Sequence, residues 1–391
     1  MKTQFVGIIG SGLMGRDPFD RRSWSTSSYF FFTALQRQGA LARAFGVEVP
    51  RLSRFGYIAR NFRRDREAWR VSFYNDTGYR DALTAEISKQ LNRDDFSGQS
   101  FLQIGAMYDV PQLIRGRYSC FSYHDGNLAE TLRSPYAPKG LDPRLTDLAL
   151  NYERRVYLGM TKVFAMSDYL RRSFIDDFGV PENRVSSVGA GINMGSIPDP
   201  QIGKRYDIPD LLFIGVDFAR KGGWELLNAF RAVREKIANA TLHIVGPREL
   251  RIPTALEGGV VVHGYLNKTD PEDQKRLVRL FERCCLFVMP SLYEPFGIAP
   301  LEAMAHQLPC LVTDGWALKE MVTRGETGEL VACGSVDDLA QKMIGLLCDP
   351  DTLRRMGTAG RLSVIENYTW DHVVERILRE SNVEKPVQCA G

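Results

Sequence analysis

Cys284-Cys285-Leu286-Phe287-Val288-Met289-Pro290-Ser291-Leu292-Tyr293-Glu294-Pro295-Phe296-Gly297, then helix formers from Ile298 to His306, then Pro309-Cys310-Leu311-Val312-Thr313, is the stretch that decides the fold. Its first and last apolar runs have the length of buried strands. A turn and a helix lie between them. Strand, turn, helix, strand is one βαβ crossover of a parallel sheet. Open sheets of this kind bind ligands at the carboxyl ends of their strands. A helix starting near Gly297 directs free N–H groups and the positive end of its dipole there, and a diphosphate suits such an end. Glu294 in the turn and Glu302 on the helix are poor partners for phosphate. They are good acceptors for vicinal hydroxyls, one on a sugar and one on a ribose.

Glu294 and Glu302 have seven residues between them in the frame Pro290-Ser291, Glu294-Pro295-Phe296-Gly297, Leu301-Glu302-Ala303-Met304-Ala305. The frame continues through Pro309, Asp314-Gly315 and Glu320 to Thr327-Gly328. It resembles the paired-glutamate motif of retaining glycosyltransferases of the GT-B fold, and most closely their family four. The resemblance implies an α/β architecture: two Rossmann-like domains facing across a cleft, with a C-terminal helix crossing back to the N-domain. It implies transfer of a hexosyl group from a nucleoside diphosphate sugar, UDP-sugar first, to a hydroxyl with retention, and no cofactor or metal. The bland alternative is an ordinary βαβ unit with incidental surface glutamates.

The chain has 391 residues, a length for two domains, and its 44% hydrophobic content is ample for packed cores. A net charge of +3 excludes neither solubility nor a weakly anionic partner. No stretch approaches the roughly 20 apolar residues of a membrane span. Met1 to Phe5 runs straight into a strand without a signal-peptide pattern, so the expected location is cytoplasmic, with a peripheral membrane contact open. Seven cysteines show no metal-ligand spacing and read as small buried hydrophobes.

Gln4 to Ile9 reads as the first strand, and Gly10-Ser11-Gly12-Leu13-Met14-Gly15 follows as a formal GxGxxG. A dinucleotide site requires a helix opening within that motif. Arg16 to Arg22 is loop-like instead, and a helix is plausible only from about Ser25. No second strand ending in an acidic residue is clear, Glu48 being the only candidate. A nicotinamide-dependent oxidoreductase is therefore kept as the weaker alternative. On the glycosyltransferase resemblance, Gly12 and Gly15 lie under the donor. Arg51, Arg54, Arg60, Arg63, Arg64, Arg66 and Arg70 interleave with Phe55, Tyr57, Phe62 and Trp69. They could form a nucleic-acid surface or a face for anionic membranes and phosphorylated or lipid-linked acceptors; a solvated face is the default.

Strands are expected at Ser100–Ile104, Cys120–Tyr123, Lys162–Met166 and around Val185, with Ser167 capping a helix. His124 is placed at a strand's carboxyl end, facing the crevice. The resemblance implies that it contacts the donor sugar, while the local alternative is a loop lock with Asp125. Residues 1–195 read as an acceptor domain, 196–369 as the donor domain and 370–391 as the returning helix and tail. In the donor domain, Asp210–Gly215 and Ala240–Gly246 read as strands, and so does Val260–Gly264. The resemblance puts the essential basic residue at Lys221, with Arg220 beside it. Many members carry arginine where this chain has Val216. Tyr265 and Leu266 are expected to line the nucleobase, Phe296, Gly297 and Ile298 to meet the diphosphate, and Glu302 to hold the ribose. A non-catalytic nucleotide- or glycan-binding protein of the same fold is the alternative from another class.

Overall fold

The computed structural model describes residues 4–10, 17–91, 99–114, 116–137 and 141–381. The chain divides into two compact units, Met1–Gly191 with Trp370–Gly391, and Ile192–Thr369. The sequence reading set the break four residues later, after 195.

The first unit is built on six parallel strands, β1 (Gln4–Gly10), β2 (Leu41–Val47), β3 (Gln99–Ile104), β4 (Cys120–His124), β5 (Lys162–Ala165) and β6 (Val185–Ser187). Their order is β2-β1-β3-β4-β5-β6, which reverses direction at β1 and β3. Parallel strands buried on both faces need continuous apolar runs, and Phe5, Val6, Ile8 and Ile9 of β1 are wholly buried. The first α-helix spans Ser27–Arg37, past Gly15. Gly12 and Gly15 lie outside the described residues.

β2 is the second strand that was not clear from the sequence, and it ends just before Glu48, the one candidate named there. It pairs with β1 from Leu41 to Val47, but most of it is only half-buried because it forms the sheet edge. Glu48 follows its last residue and is tied to Arg54 at 3.0 Å. The arginine-rich stretch also folds into helices, Arg51–Arg60, Arg66–Asn75 and Thr77–Leu91.

The helix Trp370–Ser381 packs within this first unit. Trp370 lies 5.6 Å from the Phe31 ring, Asp371 pairs with Arg37, and Glu380 takes Lys162 at 2.5 Å and Ser186 Oγ at 2.7 Å. The start of the helix is thus held by apolar contact and an ion pair, and its end by charge and a hydroxyl hydrogen bond.

The second unit holds β7 (Asp210–Ile214), β8 (Thr241–Val245), β9 (Val260–Gly264), β10 (Leu286–Met289), β11 (Cys310–Thr313) and β12 (Gly328–Val331). Its order is β12-β11-β10-β7-β8-β9, all parallel. The winding reverses between β7 and β10. At such a reversal the loops leaving the two strands diverge and open a crevice at the carboxyl edge. Cys284, Cys285 and Cys310 are buried in this core as free thiols, and burial holds them well above the usual thiol range. No helix among the described residues is long and apolar enough to cross a membrane.

Candidate functional site

The loops leaving β7 and β10 carry the residues singled out in the sequence. After β7, Asp217 accepts hydrogen bonds from the Arg220 main-chain N–H and from Arg220 Nε, each at 3.2 Å, and so folds the loop back. Gly222 then takes a left-handed φ of 72° before the helix Gly223–Lys236. A Cβ on Gly222 would stand 2.0 Å from the Pro290 carbonyl oxygen. Only glycine therefore lets the basic loop lie against the start of the β10 turn. Gly222→Ala is expected to cost about 2 kcal/mol or more, from left-handed strain plus the clash. The check is the unfolding midpoint, together with nucleotide affinity; an unchanged midpoint would refute the assigned packing.

The two loops are stitched together. Leu292 donates its N–H to the Arg220 carbonyl at 2.9 Å, and Arg220 Nη1 donates to the Tyr293 carbonyl at 2.8 Å. Lys221 Nζ binds Glu294 Oε2 directly, with Arg220 Nη1 3.6 Å from the same oxygen. The Glu294 side chain is only 5% exposed and Lys221 14%, so this pair is little screened by water. Val216, where many members of the resembled family carry arginine, is exposed.

The helix Ile298–Ala305 begins at Gly297, which brings no side-chain cap, and Pro300 in its first turn has no N–H. The N–H groups of Ile298 and Ala299 therefore head the helix, with the positive dipole end behind them. Glu302 is buried on this helix, and both its oxygens accept from Lys268 Nζ, at 2.5 and 2.6 Å. Lys268 is the functional candidate that sequence reasoning missed. It sits 34 residues from Glu302 in the loop after β9, and only the fold brings the two together.

The residues after β9 are placed differently from expectation. Leu266 is buried in the core with Leu277, Leu280 and Phe281, so its side chain does not line an open surface. Tyr265 is the exposed member of the pair, with the Arg248 guanidinium 4.9 Å above its ring. Phe296 and Ile298 are half-buried. His243 Nδ1 lies 3.0 Å from His263 Nε2, so these two histidines partner each other across β8 and β9.

His124 requires a correction. It ends β4, as expected, but its ring is buried edge-on against Tyr157 and Phe174, 5.2 and 5.1 Å away. Alternation along β4 sends Tyr123 to one face and His124 to the other, into the helical layer. Nε2 finds no hydrogen-bond partner among the described residues, and burial drops the imidazole to about 3. Asp125, the next residue, accepts instead from Trp24 Nε1 at 2.8 Å, so no His124–Asp125 lock forms.

Two reversing parallel sheets, with a basic loop and an uncapped helix end at the second reversal, define the GT-B class. Sucrose-phosphate synthase from Thermosynechococcus elongatus superposes with a TM-score of 0.71 at 16% identity over 96% of this chain and 98% of its own. A pneumococcal O-GlcNAc transferase solved with UDP and GlcNAc gives 0.55 at 15% identity, over 78% of this chain and 60% of its own. More particularly, residues 208–349 match the family described as glycosyl transferases group 1. Phosphatidyl-myo-inositol mannosyltransferase of Mycobacterium leprae is 30% identical over 225 residues. That match spans 55% of this chain and 57% of the relative. The family-four resemblance read from Glu294 to Gly328 falls inside the matched segment.

Proposed function

We propose that this chain transfers a hexosyl group from a nucleoside diphosphate sugar to a hydroxyl acceptor with retention of configuration and without a metal. The observation that carries the reading is the convergence at the β7/β10 reversal of Arg220, Lys221, the uncapped start of the helix at Ile298 and the carboxylate of Glu294. A diphosphate leaving group gains negative charge as the glycosidic bond breaks. Lys221, Arg220 and the N–H groups of Ile298 and Ala299 stabilise that charge electrostatically, the role a metal plays elsewhere. Glu302, with Lys268 fixing its orientation, accepts from the ribose hydroxyls. Glu294, oriented by Lys221, accepts from sugar hydroxyls and sets the anomeric carbon. Glu294 is thereby engaged and is not free to act as the far-face nucleophile that a double displacement requires. The acceptor oxygen then bonds to the anomeric carbon on the face the diphosphate leaves, and a departing phosphate oxygen takes the acceptor's proton. His124 has no part in this scheme, its ring being packed in the core. The acceptor is a glycan, a lipid-linked sugar or a small molecule.

UDP-sugars are the first donors to test, since one structural neighbour holds UDP. The discriminating experiment is a panel of nucleotide sugars read by thermal shift, followed by product analysis. Stabilisation without hydrolysis or transfer by any donor would leave a non-catalytic binder. Glu302→Ala is expected to weaken nucleotide binding by about one to two orders of magnitude, through lost ribose bonds to a charged acceptor. Unchanged affinity by calorimetry would contradict its role. Turnover is expected to be indifferent to chelator, and dependence on added magnesium would refute the metal-free step.

A further inference from the structure

The helix Arg51–Arg60 has no buried residue. Its inward side is Tyr57 and Ile58, partly buried against the core, while a second apolar stripe faces outward. Leu52 is 91% exposed and Phe55, one turn on, 70%. Ala59 continues the same side, and Phe62, 60% exposed, stands just beyond the helix end with its ring on Trp69. Even Gly56 faces open space: a Cβ there would meet nothing within 4 Å. Clusters of exposed large apolar groups on a folded unit mark a surface that something covers.

The charge around the stripe identifies what. Residues 51–64 contain five arginines and no acidic residue. Arg54 and Arg60 are engaged by Glu48 and Asp76 from neighbouring segments. Arg51, Arg64 and Arg66 are exposed and make no ion pair among the described residues. A phosphate backbone could use the arginines but has no use for Leu52 and Phe55. A protein partner would need acidic groups around an apolar groove. An interfacial helix on an anionic bilayer uses both sets at once: apolar side chains enter the acyl boundary and arginines meet the headgroup phosphates.

We propose that the face made by Leu52, Phe55, Phe62, Arg51, Arg64 and Arg66 docks the first unit on an anionic phospholipid bilayer. This is independent of the transfer reaction, and none of these residues belongs to the proposed donor site. The test is co-sedimentation of the full chain with phosphatidylcholine vesicles, with and without phosphatidylglycerol. Binding is expected only with phosphatidylglycerol, and it should weaken as salt rises. Arg51→Gln/Arg64→Gln should lower the partition constant roughly 25-fold, about fivefold per arginine. Leu52→Ser/Phe55→Ser should lower it by about tenfold or more. These substitutions lie on exposed positions, and circular dichroism and nucleotide-induced thermal shift should match the parent chain. No binding to anionic vesicles, equal binding to neutral ones, or parent-like binding by either double variant would overturn the proposal. Binding to a single-stranded oligonucleotide that falls with the arginines but not with Leu52 and Phe55 would also overturn it, in favour of a nucleic-acid face.

Discussion

Lys221→Ala is expected to lower kcat by about two to three orders of magnitude while leaving the second unit folded, because a donor aimed at developing charge typically contributes that much. The size follows from placement. Lys221 is the ammonium nearest Glu294, in a site where both side chains are largely withdrawn from water. The change should fall mainly on kcat, since the leaving group's charge peaks after binding. A second effect runs beside it. Without Lys221, the buried Glu294 carboxylate keeps, among the described residues, only the Arg220 cation, at 3.6 Å, and the unit should lose about 1–3 kcal/mol of stability. Lys221→Ala/Glu294→Gln separates the two effects. It removes the stranded charge and should recover most of the stability, but none of the turnover. Lys221→Arg should recover only part of the rate, because a planar guanidinium cannot take the position of an ammonium beside Arg220. Full turnover in Lys221→Ala would remove this residue from the phosphate-binding role and with it the central feature of the mechanism.

What could be read from the chain follows the strength of its periodic signals. The β10–helix–β11 unit was legible because Leu286–Met289 and Cys310–Thr313 are continuous apolar runs, buried on both faces. β2 was not, because an edge strand half open to water tolerates Arg43 and Gly46 within it. The helices between Arg51 and Leu91 were hidden for a related reason: Arg51–Arg60 buries no residue fully and only Tyr57 and Ile58 in part, so no strong core-facing stripe announces it. Within the site, Glu294, Glu302, Arg220 and Lys221 were legible as a motif, but Lys268 was not, since a lone loop lysine carries no local signal of its distant partner. His124 illustrates the opposite error. Its position at the strand end was read correctly, while its direction follows from alternation with Phe121 and Tyr123, which the motif reading set aside.

That buried histidine leads to the second large effect, a loss of stability on mild acidification. Burial lowers His124 to about 3 and His306 to about 4, from an ordinary value near 6.5. His306 lies flat against Phe281, 4.5 Å between ring centres, and neither ring nitrogen has a partner among the described residues. Both are therefore neutral in the folded chain at pH values where the unfolded chain binds a proton. The unfolded state takes up the extra protons, so stability is fully present above about pH 6.5 and falls as pH drops towards the folded values. Each histidine contributes a slope of about 1.4 kcal/mol per pH unit in that window. Between pH 6.5 and 4.5 the two together amount to roughly 5 kcal/mol, comparable with the whole stability of a typical domain. Carboxylates held low by cation partners, Asp210 at about 2 among them, lose their contribution only at more acid pH and do not confuse the window. Glu130, raised chiefly by burial, works in the opposite sense just above its ordinary range, and His263, half-buried and lowered, adds to the loss in the second unit. His124→Phe and His306→Phe isolate the two buried rings, because each replaces an imidazole with an aromatic that cannot protonate among aromatic neighbours. His124→Phe should flatten the pH dependence of the transition of the first unit and leave that of the second unchanged; His306→Phe should do the reverse. Thermal unfolding followed at pH 7, 6 and 5 reads both. A midpoint that holds constant from pH 7 to 5 in the parent chain would show that these rings reach protons without unfolding, against the buried, unpartnered packing described for them.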